Sequence, residues 1–355
     1  MRALLPDRYR RIPDRELVDR IRTRKESYDG RLIILGHHYQ RYEIVALSDF
    51  RGDSLELSKK AAQQKEAAFI VFCGVNFMAQ SAAILCTPSQ RVFHPDVEAR
   101  CPMADMARIG DVERAWDEIQ KTCGNRVVPI TYINSDAEIK AFCGRNEGVV
   151  CTSSNALGAL DWGLQRGEQI FFLPDEHLGR NTAKRKGISK DRMVVWDPRA
   201  PLGGNSEEAV RKAHVILWKG YCHVHTWFTP EHIRDVREQL PDAVVVVHPE
   251  CKEEVVDLAD YNGSTSFIVR FVQEAPMGTQ IAIGTEINLV SRLAREHPDK
   301  KILPLSRSLC PNMYKVSLND LLWTLDELGE VNLVTVPEEI KEQAKIALAC
   351  MLEIV

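Results

Sequence analysis

The strongest constraint on this chain is a threefold alternation of short, β-branched apolar runs with amphipathic helical stretches, each series ending on a cysteine. Apolar runs of about four to eight residues separated by helical patterns are the mark of parallel βαβ units. A recurring order of elements indicates repeated structural units. The first block opens with RLIILGHHY (31–39). A turn at Gly52-Asp53-Ser54 starts the helix LELSKKAAQQ; the strand AFIVFCGV, the helix NFMAQSAAIL and the strand RVFHPDVEAR follow, reaching Cys101. The second opens with RVVPITYIN (126–134) and helix SDAEIKAF. It continues through GVVCTSSNALGAL, the expected strand QIFFLPDEHLGRNT, and the strand HVILWKGY, reaching Cys222. The third opens with AVVVVHPE (243–250) and helix CKEEVVDLAD. GSTSFIVRFV, QIAIGTE, helix INLVSRLA and KILPLSRSL lead to Cys310.

The second block is the longest, and the polar stretch 181–208 reads as a surface insertion that takes up the excess. The expected layout is a helical extension over 1–30, with a helix start at Pro13-Asp14. Three α/β lobes follow over 31–112, 113–235 and 236–320. A C-terminal part, 321–355, supplies helix LNDLLWTLDEL, strand VNLVTV and a closing helix from Pro337, packed back on the lobes. The expected fold class is α/β: three pseudo-symmetric lobes with short parallel sheets around a central active site.

A net charge of −4 over 355 residues gives no electrostatic case for nucleic acid or a membrane surface. The basic run 184–186 is short and reads as a solvated loop. No apolar run approaches the ~20 residues of a spanning helix, and the charged N-terminus lacks the apolar core of a signal peptide. A cytoplasmic location is expected, and in a reducing compartment the ten cysteines are thiols. No Cys-x-x-Cys pair occurs, so any metal centre is assembled from distant parts of the chain.

Ligands of open parallel sheets bind beyond the carboxyl ends of the strands. Those positions hold His37 and Tyr39, Tyr132 and Asn134, His248 and Glu250, and the three cysteines. Equivalent placement in three repeats singles out Cys101, Cys222 and Cys310 from ten, and three thiolates suit an iron–sulfur cluster or a zinc ion. With three ligands, a four-iron cube keeps one iron open as a Lewis acid, which favours dehydration chemistry. After Cys222, His223-x-His225 reads either as a zinc-like pair or as a spacing that lets His225 face that ligand set. The turns at Asp53-Ser54, at 152–155 around Ser153, and at Ser264-Thr265 read as helix N-caps. Such turns either cap only or also bind phosphate or carboxylate through backbone N–H groups and hydroxyls. The latter reading implies an acidic small substrate. A carboxylate and imidazoles near one another supply acid/base capacity. Neither a dinucleotide fingerprint nor a P-loop is present.

The strings GHHYQ, GDSLELSKKA, CGVNFMAQSA, YINSDAEIKAFCGRNEGVVCTSSNA, PDEHLGRNT, VHPEC, GSTS and LCPNMYK resemble the quinolinate synthase (NadA) family, in family order from about residue 30 to about residue 320. The resemblance implies condensation of iminoaspartate with dihydroxyacetone phosphate to quinolinate, with loss of phosphate and two waters, in NAD biosynthesis. It implies a 4Fe-4S cluster on Cys101, Cys222 and Cys310. The matching site positions are His37, Tyr39, Asp53, Ser54, Tyr132, Asn134, Ser153, His225, His248, Glu250, Ser264 and Thr265. Tyr39, Glu250, His37 and His225 are the candidates for catalysis, and the hydroxyl and amide groups are candidates for binding carboxylate and phosphate. The implied partners are small-molecule substrates and a functional link to the enzyme supplying iminoaspartate, with no nucleic acid and no membrane. The family often has Ala-His-Asn-Tyr where this chain has Gly36-His37-His38-Tyr39; alternation puts His38 on the other face. Two other readings stand beside this one: a different three-cysteine hydro-lyase, and a non-enzymatic iron–sulfur sensor.

Overall fold

The computed structural model describes residues 5–124 and 127–354. Residues 1–4 of the expected N-terminal extension, Arg126 at the head of the expected second opening strand, and residue 355 lie outside the described residues. The chain divides into two compact units, Met1–Cys101 with Cys310–Pro337, and Pro102–Leu309 with Glu338–Val355.

In the first unit, strands β1 (Leu32–His37), β2 (Phe50–Gly52), β3 (Phe69–Cys73) and β4 (Arg91–Phe93) form a parallel sheet in the order β2-β1-β3-β4. Leu32 and Ile34 alternate onto one face of β1. There they join Leu17 and Ile21, one turn apart on helix Asp14–Glu26, and Leu321, Leu322 and Leu325 of helix Leu318–Asp326 in one buried cluster. The tail segment read as a strand, VNLVTV, makes only the isolated bridges Leu328–Val331 and Phe93–Leu333.

The second unit holds two parallel sheets. One contains β5 (Val127–Tyr132), β6 (Val149–Cys151), β7 (Gln169–Leu173), β8 (Met193–Trp196) and β9 (Val215–Trp218), ordered β6-β5-β7-β9-β8. The other contains β10 (Val244–Val247), β11 (Tyr261–Asn262), β12 (Gln280–Gly284) and β13 (Lys301–Pro304), ordered β11-β10-β12-β13. All three sheets thus share one order: a short edge strand, the opening strand, then the next two. The second differs by β8, added at the far edge beside β9. The stretch 181–208, expected as a surface excursion, therefore supplies a strand of the sheet. The expected strand over QIFFLPDEHLGRNT ends at Leu173. Helix Glu176–Arg185 begins where the Asp175 carboxylate accepts from Leu178 N at 2.8 Å.

The registers make the repeat exact enough to compare single residues. His37 pairs with Gly52, Tyr132 with Cys151, and Val247 with Asn262. On the edge side, the amide of Ile34 donates to Asp49 Oδ2 at 2.8 Å and that of Val245 to Asp260 Oδ2 at 2.7 Å. The equivalent residue of the second sheet is Pro129, which has no N–H to satisfy. There Gly148 passes instead, so close that a Cβ on it would lie 2.1 Å from Pro129 O.

Candidate active site

The opening strands deliver side chains at two repeat positions, the first beyond or at the strand end and the second two residues on. In the first unit these are His37 and Tyr39. His37 Nδ1 accepts from Tyr39 N at 3.1 Å, and the two rings meet edge to face at 4.9 Å. His38 turns the other way, with Nε2 3.9 Å from Glu56 Oε2. Beside them, Asp53 caps helix Ser54–Gln63 by accepting from Leu55 N and Glu56 N at 2.9 and 3.0 Å. Its carboxylate is therefore engaged with the helix start, which leaves Ser54, buried at the first helical position, with its hydroxyl at the turn. Two segments carry cysteines here. Asn76 ties down the one before Cys101, with N to Ala99 O at 2.8 Å and Nδ2 to Val97 O at 3.2 Å. Gln40 Nε2 donates to Met313 O at 3.1 Å, in the short helix that begins after Cys310.

The second unit carries the same two positions twice: Tyr132 with Asn134, and His248 with Glu250. Glu250 is the centre of the group. Its Oε2 is 2.6 Å from His225 Nδ1, Tyr132 hydrogen-bonds to its carboxylate, and its backbone N reaches His248 Nδ1 at 3.4 Å. The His225 and His248 rings stack at 4.3 Å. His225 Nε2 lies 3.2 Å from Thr285 Oγ1, so with a proton on Nδ1 toward the carboxylate, the ring accepts from the threonine hydroxyl. Burial alone would push the Glu250 carboxyl up, but the two imidazoles and the hydrogen bonds from His225 and Tyr132 hold it down at about 2. Asp175, equally buried, is pushed well above the usual carboxylate range by burial and then by the charge of Glu250. Two neighbouring carboxyls with opposed protonation preferences are a common basis for acid/base chemistry.

Cys222 completes this group. One ligand atom each from Cys222, His225 and Glu250 lies within 4.8 Å of the others, a donor set able to hold a metal ion. A chain turn fixes Cys222, whose carbonyl accepts from both N and Oγ1 of Thr226 at 2.9 Å. Among the other thiols, burial pushes Cys73 up to about 12 and Cys143, Cys151 and Cys251 up as well. Those remain protonated, whereas the thiolate is the ligating form. Cys101, Cys222 and Cys310 are half-buried, as are Cys123 and Cys350.

The remaining expected residues lie at the edge-strand turns or at the strand ends. Ser264 caps helix Thr265–Glu274, accepting from Phe267 N at 3.2 Å, with Thr265 buried beside it. The turn at 152–155 departs from the expected cap. Asn155 turns its side chain back, taking Thr152 N at 2.8 Å and donating to Met351 O at 3.1 Å, and helix Ala156–Leu164 starts without a side-chain cap. Ser153 stands half-exposed in that turn. Asn134 follows β5, with Oδ1 buried and without a partner.

The sequence compares with known proteins across nearly its whole length. The family model of the quinolinate synthetase A protein matches residues 19–353. The chain belongs to this family. It is 48% identical over 359 residues to the protein named quinolinate synthase of Bacillus cereus (strain Q1), covering 99% of this chain and 96% of that one. To its namesake in Geobacillus sp. (strain WCH70) it is 49% identical over 356 residues, covering 98% and 96%. To that of Bacillus anthracis (strain A0248) it is 47% identical over 359 residues, covering 99% and 96%. The chain is thus an enzyme of the quinolinate synthetase A family, and no helix among its described residues is long and apolar enough to cross a membrane. Around Glu250, sequence reasoning missed Asp175, Asn181 and Thr285. The first two lie in the string PDEHLGRNT, quoted for its likeness but given no role; Thr285, in the run QIAIGTE after β12, carried no signal of its own.

Proposed function

We propose that this chain condenses iminoaspartate with dihydroxyacetone phosphate to quinolinate, releasing phosphate and two waters, with a 4Fe-4S cluster on Cys101, Cys222 and Cys310. The observation that carries the reading is the buried group Tyr132–Glu250–His225 with Cys222, in a chain close to half identical to proteins named quinolinate synthase. The donor chemistry fits the cluster: the three thiols at equivalent repeat positions are half-buried, unlike Cys73, Cys143, Cys151 and Cys251, whose burial keeps them protonated. When bound, a cluster with three cysteine ligands supplies one open iron as a Lewis acid toward substrate oxygen.

The chain's own residues do the rest. Glu250, held as a carboxylate by the imidazoles around it, takes a proton from a carbon or nitrogen of the condensing substrates. His225, oriented by Thr285, keeps that carboxylate charged and returns a proton to a departing hydroxyl. Tyr39 and His37 offer a second proton-moving pair. Ser54, Ser153, Thr265 and Asn134 hold carboxylate and phosphate oxygens through hydroxyls, an amide and N–H groups at helix starts, while Asp53 and Ser264 shape two of those starts. His248, stacked on His225, orients the ring and contacts substrate. The enzyme works in the cytoplasm, in functional link with the enzyme that supplies iminoaspartate.

Anaerobically purified protein, given both substrates, is expected to form quinolinate; no quinolinate from cluster-loaded protein would refute the reading. A single zinc ion on Cys222, His225 and Glu250 is a second reading favoured by the same donor set. Metal analysis separates them, about four irons per chain against one zinc.

A further inference from the structure

Asn181 is 7% exposed, in the middle of helix Glu176–Arg185. Its Nδ2 donates to Pro249 O and to Cys251 O, each at 2.8 Å. Those two carbonyls flank Glu250. The acceptors fix how the amide is turned, because with oxygen and nitrogen exchanged Oδ1 would face two carbonyl oxygens. In the orientation adopted, Oδ1 is buried with no hydrogen-bond partner. The unmet acceptor is a cost, set here against the two buried carbonyls that the amide satisfies. Both of its hydrogens are aimed at one turn. That turn is otherwise held by Cys251 N to His248 O at 3.0 Å and by the long contact from Glu250 N to His248 Nδ1 at 3.4 Å.

We infer that Asn181 is a positioning residue for Glu250: by gripping the carbonyls on either side, it sets the direction in which the carboxylate meets His225 and the substrate. The inference rests on the reading of Glu250 as a proton carrier. None of the hydrogen bonds of Asn181 reaches Cys101, Cys222, Cys310 or His225, so its loss is expected to misdirect the carboxylate without releasing metal.

The test uses cluster-loaded enzyme, comparing wild type, Asn181→Ala, the isosteric Asn181→Asp and Glu250→Gln at a temperature where each is folded by circular dichroism. Asn181→Ala is expected to lower kcat about 10–100-fold, the usual range for a residue supporting a catalytic group. KM for both substrates should change far less, with iron content and visible absorbance as in wild type. Asn181→Asp keeps the shape but offers the two carbonyls no pair of hydrogens, and is expected to be as slow. A kcat within about twofold of wild type in either variant, or a loss confined to KM, overturns the inference; should Asn181→Ala fail to fold, Asn181→Asp decides it alone. Failure of the underlying reading looks different: wild type makes no quinolinate, or Glu250→Gln keeps full kcat.

Discussion

His225 Nδ1 and Glu250 Oε2 stand 2.6 Å apart with both side chains out of water, and Thr285 Oγ1 closes the far side of the imidazole at 3.2 Å. A hydroxyl, a ring and a carboxylate in line fix one tautomer and one orientation. Removing the carboxylate charge in Glu250→Gln is expected to lower kcat by about 10²–10⁴, the range for a lost general base. Thr285→Val, which keeps shape and loses only the hydroxyl, is expected to cost about 10–100-fold. Steady-state quinolinate formation measures both. Equal activity of Thr285→Val and wild type would remove the threonine from the relay.

The cysteines divide by repeat position. Cys101→Ala, Cys222→Ala and Cys310→Ala are each expected to abolish iron binding, because each removes one of three thiolates. Cys73→Ala, at a thiol pushed up to about 12 by burial, and Cys350→Ala are expected to retain iron in full. Iron per chain after anaerobic reconstitution decides the matter, and a Cys222→Ala protein with wild-type iron would sink the ligand assignment.

The sequence made the repeat visible where its strands are long and apolar, and obscure where they are short. Phe50–Gly52 and Tyr261–Asn262 span three and two residues with exposed or half-exposed side chains, too little for any apolar pattern. Met193–Trp196 is apolar but sits inside a charged stretch, which is why its place at the sheet edge was hidden. The strand reading of 169–182 failed at Pro174-Asp175, where the aspartate is a cap. Among the candidate residues, His37, Tyr132 and His248 were legible because they occupy one repeat position. Asn181 and Thr285 act on neighbours brought close only by folding, 68 and 60 residues away along the chain.

His94 gives the fold an acid sensitivity of its own. Its ring is fully buried, Nε2 faces Gly74 O at 3.2 Å, and burial lowers its pKa from an ordinary 6.5 to about 4. The unfolded chain therefore binds a proton in the window between those values while the folded chain does not, so stability is lost as pH falls through it. The loss reaches about 3 kcal/mol near pH 4, at about 1.4 kcal/mol per unit. Urea unfolding of wild type and His94→Gln at pH 7 and pH 5 should show a smaller acid loss in the variant. Parallel losses would exclude this histidine as the cause.

Asp260 carries an edge of the third sheet. Asp260→Ala leaves the Val245 amide without its acceptor and is expected to cost about 1–3 kcal/mol of stability. Gly148→Ala is expected to destabilise too, since its methyl would meet a backbone oxygen, Pro129 O, at 2.1 Å. Denaturant midpoints check each; an unchanged midpoint for Asp260→Ala would mean that water serves the amide as well as the carboxylate does.

That edge also records how the three copies have parted. In the first and third, an amide on the opening strand and an aspartate ahead of the edge strand work as lock and key; in the second, Pro129 has lost the lock and Gly148 stands where no key is required. Neither half can be exchanged alone. Grafting the 148–155 segment into the first block would strand the amide of Ile34, and placing an isoleucine at 129 would create an amide that nothing receives. The copies are therefore no longer modular parts: each has become committed to its own partner across the seam, and recombining them would require moving both sides of the seam together.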